Sequence, residues 1–242
     1  KIESGKIAIV IMAMPYKCPP APFEASLLVD SMLRKRGIRD SIQIDFYSPA
    51  PITLPAAGPE VSKKILDLVN SEKITFHNSK KIIRVEPKKL IFENDEYSFD
   101  ILLAIPPHTA PKVIYDSNLA KEPGFIPINR DCKTPHENIF AVGDVTSLVV
   151  TDSMAVPKAG VFAEGEGIAV AKNIVSKLLS KEPSVLFDGK GGCFLESGRD
   201  TASTIEVDMF ADPKPSTRLT ESTKDNLSKK LDFEKERLSK WL

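Results

Sequence analysis

The sequence predicts an α/β fold built on a parallel sheet, and two observations carry this prediction. A strand–helix–strand unit stands near the N-terminus, with a continuous apolar run at 6–12, an amphipathic helix at 23–37 and an alternating strand at 42–49. A second helix at 58–72 then leads into several short strands. Strands and helices in this order favour right-handed parallel crossovers and a domain of the nucleotide-binding type.

Four short segments after the second helix read as strands: "ITFHNS", "KIIRVEP", "KKLIFEN" and "EYSFDILLAIPP". The sequence Glu86-Pro87-Lys88 joins two of them and predicts a hairpin. We therefore expect residues 1–105 to form one α/β domain with a small antiparallel insert. Two further strands are predicted later, at 190–198 and 202–210.

The charge, the apolar runs and the cysteine pattern of the sequence argue against several classes of function. The 242 residues carry 33 Lys and Arg against 33 Asp and Glu, so no global charge favours nucleic acid as a partner. No apolar run is long enough for a membrane-spanning helix, and the start does not read as a signal peptide, which favours a cytoplasmic location. The chain begins in a strand without an initiator Met, and we interpret it as a fragment or a processed chain. The three cysteines fit no zinc pattern, so no metal site is predicted.

The turn after the first strand, "MAMPYKCPPAPFE", contains no glycine. Dinucleotide-binding domains need glycines at this turn because the backbone must approach a phosphate closely. Weak or absent NAD(P) binding is therefore predicted. The turn instead holds Cys18 among four prolines, and because proline fixes φ, the thiol is expected to sit in a stiff loop.

The stretch "TPHENIFAVGDV" predicts a short apolar strand that ends at Gly143, with Asp144 where the strand emerges. A long helix over 156–179 follows, entered through "VPKAG". A carboxylate at such a strand end can accept hydrogen bonds from sugar-like hydroxyls, and glycine permits close approach. This pattern resembles the second FAD-binding motif of two-dinucleotide-domain flavoprotein reductases. The resemblance implies FAD as cofactor and the following binding residues: Gly143, Asp144, Pro157, Lys158, Ala159 and Gly160.

Two cysteine segments select a branch of that superfamily. Cys18 lies in "PYKCPPAPFE" and Cys193 in "GGCFLESG". Both segments resemble those of sulfide:quinone oxidoreductases and of the flavoprotein subunit of flavocytochrome c sulfide dehydrogenases. The resemblance covers almost the whole chain. It implies a Rossmann-like middle domain at 1–105 and the C-terminal part of an FAD-binding domain at 106–242.

The resemblance further implies a redox pair of Cys18 and Cys193. Sulfide would attack their bridge by thiol–disulfide exchange, electrons would pass through flavin to a quinone, and sulfur would leave as polysulfide. Lys158, near a helix N-terminus, would favour negative charge on reduced flavin. Glu196 and His108 are candidates for handling protons, and Cys132 receives no role. The family's first FAD-binding half is absent, so the chain is expected to need an upstream segment.

Two other readings stay open. One is a type II NADH dehydrogenase-like or CoA-disulfide-type reductase, against which the glycine-free turn argues. The other is a flavin-free fragment that binds partners without activity, and the oligomeric state is open in all three readings.

The C-terminal segment 224–242 predicts an amphipathic helix. One face carries leucines and Trp241, and several lysines add positive charge. Such a helix can lie on an anionic membrane near the quinone pool, or its apolar stripe can pack on the protein.

Overall fold

A computed structural model describes residues 2–152 and 154–242. The helices in these ranges are α1 (Ala21–Lys35), α2 (Gly58–Ser71), α3 (Lys112–Asp116), α4 (Gly160–Leu178) and α5 (Lys224–Trp241). The strands of the first half are β1 (Gly5–Ile11), β2 (Ile42–Tyr47), β3 (Ile74–His77), β4 (Ile82–Glu86), β5 (Lys89–Phe92), β6 (Glu96–Ser98) and β7 (Ile101–Ile105). Those of the second half are β8 (Ile126–Pro127), β9 (Thr146–Ser147), β10 (Val149–Thr151), β11 (Met154–Ala155), β12 (Lys190–Glu196), β13 (Ala202–Asp208) and β14 (Ser216–Leu219).

A four-stranded sheet in the order β3-β2-β1-β7 forms the centre of the first half. Its strand pairs are parallel, which confirms the predicted strand–helix–strand unit. β1 is covered on both faces because Ile7, Ile9 and Ile11 face one core cluster while Ala8 and Val10 face another. A strand buried on both sides has no polar face, which explains its continuous apolar run.

Helix α1 starts and ends where its sequence dictates. Pro20 precedes it and Pro22 stands in its first turn, where a missing N–H costs nothing. Phe23 and Leu27 point into the core. Beyond its end, Gly37 has φ of +69°, so the glycine turns the chain away as predicted. The helix begins at Ala21, two residues earlier than the apolar periodicity indicated.

The predicted hairpin is present. β4 and β5 are antiparallel, with Glu86 opposite Lys89, and β6 completes a small meander. Leu90 and Phe92 of this meander cover the second face of the parallel sheet.

The second half adds a three-stranded antiparallel sheet, β12-β13-β14. The strands predicted at 190–198 and 202–210 are confirmed as β12 and β13. Leu195 and Ile205 of this sheet belong to the same core as α1 and α2, while Phe194 packs edge-on against Phe233 of α5. β12 therefore lies between α1 on one side and α5 on the other.

The short strand predicted to end at Gly143 is wrong. Only Phe140 pairs, in an isolated bridge to Lys133, and a 3₁₀ turn follows at Gly143–Val145. An extended segment becomes a strand only when neighbouring backbone accepts and donates along its length, and here the pairing is limited to one bridge with a hydrogen bond on each side of it.

The helix predicted from 156 starts four residues later. Residues 156–159 form an extended lead, in which the Val156 N–H bonds the Leu148 carbonyl at 2.8 Å. Ala159 keeps extended dihedrals and acts as the N-cap of α4. Pro157 therefore lies outside the helix.

The apolar stripe of α5 does not pack on the protein. The face that contacts the body is formed at helical spacing by Asn226, Lys230, Phe233 and Arg237. Leu231, Leu238 and Trp241 lie one residue further round and are 48%, 50% and 60% exposed. The packing alternative is therefore wrong for these three side chains. Within the described ranges, no helix is long and apolar enough to cross a membrane.

Candidate functional site

The Cys18 turn leaves the carboxyl end of β1, which lies between β2 and β7. This is the point of an open α/β sheet where the strand order reverses and where ligands bind. Cys18 has φ of +49°, a conformation that non-glycine residues rarely adopt. Its N–H donates to the Lys158 carbonyl at 2.7 Å, and the N–H of Lys17 donates to His108 Nδ1 at 2.8 Å. The turn is thus fixed to the segments before α4 and after β7.

The prolines of this turn are anchored as well. The Tyr16 hydroxyl donates to the Pro19 carbonyl at 3.0 Å, and Tyr16 is buried. The Cys18 carbonyl accepts from the Ala21 N–H at 2.9 Å, which joins the turn to the start of α1. The stiff loop expected from the sequence is present around the cysteine.

Neighbouring groups act in opposite directions on the pKa of the Cys18 thiol. Burial raises its pKa, and the carboxylates of Glu24 and Asp144 raise it further. The Ala21 hydrogen bond and the ammonium of Lys230 act in the opposite direction. Burial is the largest of these effects, so the pKa of Cys18 lies above that of a free thiol, and the nearby charges adjust it further.

Cys193 lies in β12, opposite Ile205 of β13, and touches both large core clusters. Burial raises its pKa to about 11, and the Cys18 thiol raises it further. Both are free thiols. Cys193 and the Tyr16, Pro19 and Pro20 side chains of the Cys18 turn border one cleft, and the pairing of the two cysteines stays a prediction.

An apolar cleft opens between the Cys18 turn and β12. Its empty space is about 620 Å³, open solvent at the mouth included. Tyr16, Pro19 and Pro157 line one part, and Cys193 and Phe162 line another. A thiol in such a wall faces a space that suits uncharged, polarisable ligands.

The Gly143–Val145 turn lies beside this cleft. Gly143 has φ of +79°, and a Cβ there would meet the Ala163 Cβ at 3.3 Å, so glycine permits both the turn and its contact with α4. The Gly143 N–H donates to Glu166 Oε2 at 2.5 Å. The Asp144 side chain is one-third exposed and lies 3.4 Å from Lys17 Nζ.

Lys158 is buried rather than solvated. Its Nζ donates to the Thr146 carbonyl at 2.8 Å and lies 3.5 Å from the centre of the Phe125 ring. Burial lowers its pKa to about 8, against the attraction of Asp144 and Glu166. The side chain therefore stands beside the Gly143–Val145 turn with a charge that is costly to keep.

These residues fit the FAD group that the sequence implies. The Asp144 carboxylate is accessible, and a Cβ at Gly160 would meet nothing within 4 Å, so the start of α4 is open to a ligand. Ala159 caps that helix, whose N-terminus favours negative charge. Pro157 lines the cleft and so borders the same space.

Three charged residues near the two cysteines and the Gly143–Val145 turn were not predicted from the sequence as part of the site. Glu166 is 2% exposed, and burial raises its pKa to about 7. Helical spacing could have indicated that Glu166 is buried, because it lies on the same face of α4 as Phe162 and Ala169. Glu24 lies in α1 and Lys230 in α5, and their side chains form an ion pair. No local sequence pattern indicates that these two distant residues meet beside the Cys18 turn.

Cys132 is fully buried, with Sγ 3.9 Å from the Glu166 carbonyl. Burial raises its pKa to about 12, as for a thiol packed in a core. Among residues 2–152 and 154–242, no group of three His, Cys, Asp or Glu side chains could hold a metal ion.

Comparison with known proteins identifies the class. The family model described as pyridine nucleotide-disulphide oxidoreductase matches residues 43–171. The match covers more than half of the chain, and the chain belongs to this family. Its α/β fold, with a parallel sheet and flanking helices, is that of the family's solved structures.

Within the family, the chain is homologous to sulfide:quinone oxidoreductases. It is 27% identical over 224 residues to the sulfide-quinone reductase of Aquifex aeolicus, covering 85% of this chain and 50% of that protein. It is 23% identical over 228 residues to the mitochondrial sulfide:quinone oxidoreductase of Schizosaccharomyces pombe, covering 89% and 48%. The chain thus spans about half the length of these curated relatives.

Solved structures of such proteins share the fold of this chain. The crystal structure of the Aquifex aeolicus sulfide:quinone oxidoreductase superposes with a TM-score of 0.85 at 25% identity, over 97% of this chain and 58% of that one. An FAD-dependent pyridine nucleotide-disulphide oxidoreductase from Desulfovibrio vulgaris shares the fold, with a TM-score of 0.56 at 14% identity over 84% and 49%.

Proposed function

We propose that this chain carries the sulfur site of an FAD-dependent oxidoreductase that oxidises sulfide to polysulfide and delivers the electrons to a quinone. The observation that carries the proposal is the hydrogen bond from the Cys18 N–H to the Lys158 carbonyl. It joins the cysteine turn to the segment that resembles an FAD-binding motif. The relatives named sulfide:quinone oxidoreductases support the choice of substrates.

Cys18 and Cys193 are free thiols in the structure, so the proposed chemistry first requires that they lose two protons to solvent and two electrons to the acceptor that FAD would supply, which forms a bridge between them. Hydrosulfide attacks one sulfur, so that a new sulfur–sulfur bond forms, the bridge breaks, and the other cysteine leaves as a thiolate. The persulfide and the thiolate together hold two electrons and one proton more than a bridge that is longer by one sulfur. When these electrons leave, a bridge longer by one sulfur forms, and repetition yields polysulfide. The apolar cleft beside Cys193 supports this role because it suits a chain of uncharged sulfur atoms.

FAD, when bound, supplies the two-electron acceptor that links the cysteines to the quinone. Asp144 would hold its ribityl hydroxyls, and Gly143 and Gly160 would let it approach the backbone. Lys158 would place positive charge beside it. Pro157 and Ala159 would fix the segment that carries Lys158 against the Cys18 turn.

We assign residues 1–105 to the middle domain and 106–242 to the C-terminal part of the FAD-binding domain. In the middle domain the Cys18 turn occupies the place where related folds bind a dinucleotide phosphate. This placement supports sulfide rather than NADH as the electron donor.

The helix α5 is the proposed contact with a membrane. The exposure of Leu231, Leu238 and Trp241 supports it, since these side chains form an apolar stripe open to solvent. Several basic residues of this helix are engaged in ion pairs, so the stripe rather than the charge carries the proposal. The protein would then be cytoplasmic and peripheral on the membrane that holds the quinone.

The test is an anaerobic sulfide titration of the FAD-loaded protein, followed by addition of a short-chain quinone. Flavin absorbance should bleach with sulfide and return with quinone. Cys18→Ser and Cys193→Ser should slow the bleaching on the order of 100-fold, because each removes one sulfur of the bridge. Cys132→Ser is the matched control and should bleach normally. Bleaching by NADH but not by sulfide would contradict the proposal and favour an NADH- or CoA-disulfide-type reductase.

A further inference from the structure

Lys230 of α5 joins the two elements that carry the cysteines. Its Nζ donates to Glu196 Oε2 at 2.7 Å and also to Glu24 Oε1. Glu196 ends β12, three residues after Cys193, and Glu24 stands in the first turn of α1, just after the Cys18 turn. One ammonium therefore ties the start of α1 to the end of β12.

This ion pair is protected from solvent. The side chains of Lys230, Glu24 and Glu196 are 29%, 18% and 26% exposed. Exposed pairs contribute little because water screens them and flexible side chains lose entropy when they pair. A cation shared by two partly buried carboxylates is screened less, so its charge reaches further into the protein.

The charges around the Cys18 thiol come from every element packed on its turn. The titratable groups are Tyr16, Glu24 of α1, His108 after β7, Asp144, Cys193 of β12 and Lys230 of α5, while Lys158 contacts the turn through its backbone carbonyl. Glu24 and Asp144 disfavour the thiolate, whereas Lys230 favours it. Lys17, the other nearby cation, is paired with Asp144.

We propose that Lys230 is a positioning residue of the sulfur site: it holds α1 and β12 together and supplies the cation that offsets Glu24 beside Cys18. A residue of the C-terminal helix thus controls the reactivity of a cysteine at the other end of the sequence. The inference rests on the proposed function only in giving Cys18 a role in sulfur chemistry.

The test is the pH dependence of Cys18 alkylation by iodoacetamide, followed at the Cys18 peptide by mass spectrometry. Only the thiolate reacts, so the midpoint of the profile reports the pKa of Cys18. Lys230→Met keeps the length of the side chain and removes its charge. It should move the midpoint upward by roughly 0.5–1 pH unit and slow alkylation below the midpoint by about 3- to 10-fold.

The controls separate charge from structure. Lys230→Arg keeps the cation and should alkylate at the wild-type midpoint. Lys229→Met removes an adjacent exposed lysine, paired only with Asp225 at 2.7 Å, and should also leave the midpoint unchanged. A midpoint that moves equally in Lys229→Met would overturn the proposal.

A second variant keeps the test informative if Lys230→Met loosens α5. In Glu24→Gln/Lys230→Met the carboxylate that Lys230 offsets is gone, so the midpoint should return most of the way to wild type. A purely structural role predicts no such rescue. No FAD, sulfide or quinone enters the assay, so its failure leaves the flavin titration standing, and the converse also holds.

Discussion

At the scale of single residues, Glu166 and Lys158 place opposite charges in the buried surroundings of the Gly143–Val145 turn. Glu166 accepts the Gly143 N–H, and Lys158 donates to the Thr146 carbonyl, so each holds one end of the turn. Burial opposes both charges, raising the pKa of Glu166 to about 7 and lowering that of Lys158 to about 8. The turn is therefore held by groups that titrate near neutral pH.

Glu166→Gln should stabilise the chain at pH 8 and change little at pH 4.5. The folded-state pKa of Glu166 lies above its unfolded value, so the stability it contributes is present below pH 4.5 and is lost as the pH rises through about 7. Gln never ionises and can still accept the Gly143 N–H. The free energy of unfolding in urea should therefore rise by about 1–3 kcal/mol at pH 8.

Glu206→Gln, at an exposed position of β13, is the control and should show no such pH dependence. An equal effect of Glu166→Gln at both pH values would contradict the burial argument.

Single residues differ in whether the sequence alone points to them. Cys18, Cys193 and Asp144 could be singled out because each stands in a local motif that resembles a known family, and their roles stay predictions. Lys230 could not, because its partners Glu24 and Glu196 come from two other elements that only folding brings beside α5. Contacts between distant segments cannot be predicted from the spacing of residues within either segment.

At the scale of elements, the strongly periodic helices and the central strand follow from their sequences. The predicted strand ending at Gly143 failed because a strand depends on neighbouring backbone, which apolar sequence alone does not reveal. The apolar stripe of α5 left two alternatives open, since amphipathicity says that a face needs an apolar partner but not which one. The exposure of Leu231, Leu238 and Trp241 excludes the packing alternative for these three side chains.

Leu231→Glu/Leu238→Glu should weaken membrane binding without destabilising the fold. Both leucines are about half exposed, so unfolding should change by less than about 0.5 kcal/mol for each. Two charges on the stripe oppose its burial in lipid, and binding to vesicles with anionic headgroups should fall roughly 5-fold or more. Co-sedimentation measures this.

Val113→Glu, an exposed apolar position on α3, is the matched control and should bind vesicles like wild type. Undiminished sedimentation of the double variant would contradict a membrane role for the stripe.

At the scale of the whole molecule, the two halves of the chain share a core. Leu195 and Ile205 of the C-terminal sheet are buried with Phe23 and Leu27 of α1, and Cys193 touches both large clusters. The two parts divided at residue 105 in our proposal therefore do not pack independently. Sharing a core is what fixes β12 against α1, and with it the position of one cysteine against the other.

The central claim is that this packing makes Cys18 and Cys193 one sulfur site. The most direct measurement is peptide mapping after the folded protein is treated with sulfide and the thiol oxidant diamide. The account predicts a Cys18 peptide joined to the Cys193 peptide by a disulfide or a longer sulfur chain, with Cys132 unmodified in its core. A Cys18 that joins only other protein molecules or small thiols, with Cys193 left free, would contradict it.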